Sequence, residues 1–511
     1  MTTSESINPN IIKKGWQNQE EYSYWVPECD IEGVVPSDLH GTFIRNGPGL
    51  NEVYGKKLKH AIDGDGMVCK VSIVDGKVHF CSKFVKSKHR RKEQEERKFI
   101  YPGQMGTRNE SKIKDTIGAI SSLATGNPSA IIFRNPSNTN AFYWGRKILA
   151  LYETHLPHSL DPYTLETLGL DNLGGNLKLG NCAVHFRIDP HTKRLVLFSL
   201  RPGLQKLPSL VIYEFDEKWN LTKEMKLHIP FLNYAHDFLL FPDYYLFHIT
   251  PFTHVSMWGA MKILGGWESP GESMRHYPSL PSQFVVIPRN AKSESDVMKI
   301  DTCRYHIFHY GTCQQLSKTK LSFNTICMDE KFNMNFTNYW LSNMDISPGY
   351  PFQFELDLET LKGTHKRIDT CCAEFPTSHP YRNGMKGTRY IYLMASDRKE
   401  HLPFRDVVKI DTATSKKTVW YSDGIIGEPC FIPKYGYQST YKGDEDEGYV
   451  IVQLYHFQTH KTHFCILDAK HVERGPIARI KLQHHVPYGF HGSFTPEVFL
   501  FERLPTLKAK L

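Results

Sequence analysis

The chain has 511 residues, 40% of them hydrophobic and 23% charged, which excludes a disordered chain or a coiled coil and allows a core well beyond what stability requires. The net charge of +8 does not mark a nucleic-acid protein, because the largest basic run, residues 86–98, is interrupted by Glu93, Glu95 and Glu96 and reads as a solvated face. No run of 18 apolar residues occurs, and the best candidate, 231–250, contains His236, Asp237, Asp243 and His248, so a spanning helix is excluded.

Taken in chain order, residues 1–24 read as an N-terminal extension without the apolar stretch of a signal peptide. With 11 cysteines, an odd number, and no CxxC, this predicts a reducing, intracellular setting. Residues 25–511 read as one domain. Its 36 Gly and 30 Pro are spread among aromatics, which favours many short strands and an all-β fold. A strand, an Asp-initiated turn and a second strand recur around Asp75, Asp189, Asp216, Asp357, Asp411 and Asp468. The last three are 54 and 57 residues apart, close to the length of a four-stranded propeller blade, although a large β-sandwich fits this periodicity too. Two stretches, near 104–135 and 253–277, break the strand pattern and read as helical insertions above the β scaffold. The chain ends in Ala509-Lys510-Leu511, a conservative variant of the Ser-Lys-Leu peroxisomal address and short enough to arise by chance.

Among 25 histidines, residue type alone selects nothing. A metal-ligating histidine needs a rigid strand, apolar or glycine neighbours and a carboxylate to orient its second nitrogen. His185 in NCAVHFRIDP, His236 in NYAHDFLL, His309 in HIFHYG and His491 in GFHGSF meet that description, spaced so that they fall on different blades. Taken singly, each also reads as a histidine satisfied inside a core. HAIDGDGM (60–67) alternates Asp63 and Asp65 like a calcium loop, but the twelfth position would be Val74 rather than Glu, so it reads as blade structure near the site entrance.

These four contexts, with LHGTFIRNGPG (39–49), NTNAFYWGRKILALYE ending at Glu153, AEFPTSHPYRNG around Glu374, GEPCFIP around Glu428 and PYGFHGSF (487–494), resemble the carotenoid cleavage oxygenases in motif order from about residue 25 to the C-terminus. The resemblance implies a seven-bladed β-propeller with a helical cap and a non-haem ferrous iron on its axis. It implies His185, His236, His309 and His491 as iron ligands, Glu153, Glu374 and Glu428 as the carboxylates behind three of them, and Thr139 as a residue crowding one open iron position. The activity implied is cleavage of a carotenoid or apocarotenoid double bond by O2 to aldehyde or ketone products. Zinc is the competing metal, and the competing functions are a stilbene cleaver, a retinoid isomerohydrolase and a non-enzymatic propeller scaffold. Two departures bear on this. After His309 the chain reads YGTCQQ where the family carries Asn-Ala and an acidic residue. Tyr152 precedes Glu153 where stilbene cleavers place a Lys, so the pocket suits an apolar polyene better than a phenolate. Phe238, Phe308, Phe490 and Phe494 are candidate tunnel residues. Apolar residues of the two insertions, among them Ile120, Trp258, Leu264 and Trp267, with Lys112, Lys114 and Lys262 beside them, suggest a patch for peripheral contact with a membrane surface.

Overall fold

In the computed structural model, which describes residues 7–108, 133–200, 210–232, 234–250, 259, 262–263, 267–274, 281–329, 347–399, 401–434 and 443–500, the Asp-initiated turns join neighbouring strands of one sheet. Asp75 and Gly76 both have positive φ and close a two-residue hairpin between strands Gly66–Val74 and Lys77–Phe84. Asp216, Asp357, Asp411 and Asp468 each accept backbone N–H groups two residues on, the Asx geometry that starts a turn. In the third, fifth, sixth and seventh blades these four occupy the same place, leading from the third strand into the fourth. The 54- and 57-residue intervals in the sequence are therefore the blade repeat itself.

Seven antiparallel sheets of four to six strands result, and a small hairpin lies outside them. In sequence order their innermost strands include Asn140–Trp144, Arg187–Ile188, Leu239–Leu240, His306–Gln315 and Cys372–Thr377. The apolar residues form seven clusters, each shared by two adjacent blades, so the interior is a ring of interfaces around an axis. Both ends of the chain close that ring. The first blade takes Tyr22–Trp25 as its outer strand and the late strand Gly492–Thr495 as its inner one, while the seventh takes Ile31–Gly33 against Pro476–Lys481. Strand Tyr22–Trp25 pairs along its whole length, and Pro9–Lys14 before it is a short helix.

The basic run at 86–98 is a helix, Lys88–Glu96, capped by the Ser87 side chain. It is not a uniformly solvated face, because Glu93 is buried, bonding Arg134 and the backbone N–H groups of Ile100 and Tyr101. The DGDG segment anchors the first insertion. Asp63 accepts from Met105 and Thr107 where that excursion starts, and Asp65 holds Arg134 where it ends, as well as Arg90. Most of the two insertions, including Ile120, Trp258, Leu264, Lys112 and Lys114, lies outside the described residues, as does Ala509-Lys510-Leu511. Of the second insertion, Pro270–Ser273 forms a helical turn with a capping box between Ser269 and Glu272.

The closing interface should be among the most sensitive to truncation. Phe464 of the seventh blade packs on Phe43 and Phe80 of the first, and all three are buried. Phe464→Ala is expected to lower unfolding free energy by about 3–5 kcal/mol, while Leu168→Ser, on an exposed outer strand, changes it by less than about 0.5 kcal/mol. Urea denaturation followed by tryptophan fluorescence checks both.

Candidate metal centre

The axis collects the inner ends of the blades. His185 and His236 lie just before the two-residue inner strands Arg187–Ile188 and Leu239–Leu240, His491 lies just before Gly492–Thr495, and His309 sits inside His306–Gln315. The ladder of the fifth blade shifts register between Ile307 and Tyr310, which frees His309 to turn inward. All four histidines are buried, and one ring nitrogen from each lies within 4.8 Å of the others. Nε2 of His309 is 3.0 Å from Nε2 of His236 and 3.1 Å from Nε2 of His491.

Three rings are held from behind. His236 Nδ1 bonds Glu153, His309 Nδ1 bonds Glu374, and His491 Nδ1 bonds Glu428 Oε1 at 2.9 Å. Glu153 follows the second strand of the second blade, Glu374 lies on the inner strand of the sixth, and Glu428 sits between two short strands of the seventh. A second register shift, between Glu374 and Thr377, aims Glu374 at the axis, and Phe375 there adopts a left-handed φ of 49°. The sequence-predicted ligands and carboxylates are thus all brought together. Thr139 joins them through its backbone, its carbonyl accepting the His491 N–H at 3.0 Å, while its hydroxyl donates to Asn138.

Burial, and then the neighbouring rings, hold His185 and His491 well below the usual imidazole range, so both are neutral. Burial also disfavours charge on His236, but the Glu153 carboxylate outweighs it and raises that ring. Burial pushes Glu428 up to about 7 despite the Arg45 guanidinium nearby. An ionised carboxylate only accepts, so an Nδ1 atom that faces one carries a proton, and a neutral ring so held presents its Nε2 lone pair to the other rings. Nε2 of His185 and Oε1 of Glu374 have no hydrogen-bond partner, although buried. Lone pairs converging beside carboxylates, Glu374 buried and Glu153 and Glu428 partly so, are costly alone and favourable around a cation. The donor set therefore fits a divalent metal ion that accepts imidazole nitrogen.

Four nearby side chains were not singled out by sequence reasoning. The Phe375 ring lies 4.8 Å from His309 and 4.9 Å from His491, its only sequence signal being adjacency to Glu374. Arg45 threads between Gly427 and Gly489, where any Cβ would collide with its guanidinium, and donates to the carbonyls of Gly489 and Glu428. Asp237 and Arg187 pair beside His185 and His236. Of the candidate tunnel residues, Phe308 lies against His236, but Phe238 belongs to the core between the third and fourth blades and Phe494 packs on the closing core, because their strands turn those faces outward.

The raised Glu428 makes a pH prediction. In the metal-free protein the folded state keeps this proton up to about 7, whereas the unfolded chain releases it near 4.5. Stability therefore falls as pH rises through that window, by about 3 kcal/mol from this group, and Glu428→Gln removes that part of the slope in urea melts at pH 5, 6 and 7.

Known proteins place this arrangement in context. The family model described as retinal pigment epithelial membrane protein matches residues 15–496. The chain is 32% identical over 510 residues to the apocarotenoid-15,15'-oxygenase of Synechocystis sp., covering 96% of this chain and 97% of that one. It is 26% identical to the isoeugenol monooxygenase of Pseudomonas nitroreducens, covering 92% and 94%. A solved structure of a variant of the Synechocystis apocarotenoid oxygenase superposes with a TM-score of 0.86 at 31% identity, over 96% of this chain and 100% of that one. With sequence and propeller matched over nearly the whole length, the chain belongs to the carotenoid cleavage oxygenase family.

Proposed function

We propose that this protein is a ferrous-iron dioxygenase that cleaves a carbon–carbon double bond of a carotenoid or apocarotenoid into two carbonyl products. The observation that carries the reading is the buried four-histidine axis with three rings aimed by carboxylates, in a chain 32% identical to an apocarotenoid oxygenase along its length. A ferrous ion held by His185, His236, His309 and His491 would supply the one-electron chemistry by which O2 adds across an alkene, one oxygen atom ending in each product. Glu153, Glu374 and Glu428 keep the Nδ1 protons in place so that the ligand tautomers are fixed. Thr139, whose carbonyl accepts the His491 N–H, would crowd the space beside an ion held by these four histidines. The rings of Phe375 and Phe308 give the histidines apolar neighbours and keep water away.

Tyr152 favours a polyene over a hydroxystilbene. It is buried, and burial followed by the charges of Asp63 and Glu153 holds its phenol well above its ordinary value, so it is neutral and offers no cation to a phenolate. Metal analysis is expected to find one iron per chain, and mass spectrometry to find aldehydes from β-carotene or an apocarotenal but none from resveratrol. His236→Ala and His491→Ala should abolish turnover, and Glu374→Gln should weaken iron retention by about 10–100-fold. Active protein containing zinc and no iron would overturn the assignment.

An apolar polyene has to be collected from a bilayer surface, and peripheral membrane contact is part of this proposal. No described helix is long and apolar enough to cross a membrane. Trp267 is 54% exposed, its carbonyl bonded by Arg108, while Lys262 is paired with Glu268. Liposome flotation should therefore fall for Trp267→Glu, and equal flotation of a folded variant would refute this contact.

A further inference from the structure

Of the four converging imidazoles, His185 is the one without a glutamate. The nearest carboxylate to its Nδ1 is that of Asp237, with Oδ1 at 3.8 Å. Asp237 is 4% exposed, follows His236 directly, and accepts the backbone N–H of Tyr310, beside His309, at 3.2 Å. Arg187, two residues after His185, donates from Nη2 to its Oδ2 at 2.8 Å and lies 2.7 Å from its Oδ1. A single buried carboxylate thus adjoins ligand segments from the third, fourth and fifth blades. A shift of about 1 Å would bring it into hydrogen-bond range of His185.

We propose that Asp237 is the positioning carboxylate of His185 and part of the negative charge that holds the metal ion, with Arg187 as its counter-ion. The inference rests on the metal-binding reading above and adds a fourth carboxylate to it. Two features separate this role from an ordinary structural ion pair. Arg187 is only partly used, its Nε being buried without a partner while Nη1 bonds the Phe186 carbonyl. Asp237 accepts the Phe238 N–H at 2.8 Å besides its other bonds, so its position is set by backbone as well as by Arg187. The two halves of the pair should therefore act on the metal with opposite sign. Removing the carboxylate charge costs the site attraction, while removing the guanidinium leaves an uncompensated buried anion that a cation relieves.

The test measures anaerobic Fe(II) affinity by chelator competition, and the ligand-field absorption of Co(II)-loaded protein, for wild type, Asp237→Asn and Arg187→Gln. Asp237→Asn is expected to bind iron at least about tenfold more weakly and to shift the cobalt bands. Arg187→Gln is expected to bind as tightly as wild type or more so. Asp237→Asn within about twofold of wild type and with an unchanged spectrum would overturn the proposal. So would an Arg187→Gln protein about tenfold weaker, which decides the matter alone if the Asp237 variant does not fold. Binding by wild type with an indifferent Asp237→Asn sinks this inference only, whereas a wild type that binds neither metal sinks the iron assignment with it.

Discussion

The structure turns on a charge balance that the protein cannot satisfy by itself. Glu153, Glu374, Glu428 and Asp237 gather at the propeller axis, and the cations beside them are the guanidiniums of Arg45 and Arg187. With all four carboxylates ionised and the imidazoles neutral, as ligation would require, four negative charges against two guanidiniums leave two, which a divalent ion would make good. In the metal-free protein burial pushes Glu428 up, and the Glu153 carboxylate raises His236 against the cost of burial. Each carboxylate would be expensive to bury alone, so their convergence is a demand for a cation as much as a way of orienting rings.

The propeller delivers these groups by giving up sheet regularity where the axis needs it. Two of the inner strands that follow ligand histidines, Arg187–Ile188 and Leu239–Leu240, are only two residues long. The ladders beside His309 and Glu374 shift register, and Phe375 takes up a left-handed backbone conformation. Such irregularity is tolerated because the blades are held elsewhere, by the seven apolar interfaces farther out. Rigidity at the interfaces lets the axis carry strain and unpaired polar atoms.

Much of this was readable in the residues because it rests on local chemistry. Asx turns announce themselves through Asp and its followers, and the distance from Asp357 to Asp411 to Asp468 is the blade repeat. The histidines stood out by neighbourhood, and the structure brings the four of them together. What escaped detection is what crosses between blades. Asp237 reads locally as a polar break in an apolar stretch, yet it accepts the Tyr310 N–H of the next blade, supplying a carboxylate where the segment after His309 has none of its own. Glu93 reads as one charge in a solvated run and is buried because Arg134, 41 residues on, returns to meet it. Phe238 and Phe494 could not be told from tunnel residues, since alternation along a strand does not say which face an adjoining blade will cover.

Completion of the site and closure of the ring are one event. His491 enters on the strand that joins the first blade to the end of the chain, with Gly492 directly opposite Arg45. Its N–H is bound by the Thr139 carbonyl of the second blade, and its ring is bound by Glu428 of the seventh. Arg45, in turn, reaches the carbonyls of both closing loops. Bringing residue 491 back to residue 45 carries the entropic cost of closing a loop of more than 400 residues, and the cost grows only slowly with length. A metal ion that binds the assembled imidazoles, and not the open chain, adds its binding free energy to that closure. The ion would therefore do structural work at the seam of the propeller as well as chemistry on its axis, since Glu428 and Thr139, which hold His491, tie the last strand to the seventh and second blades.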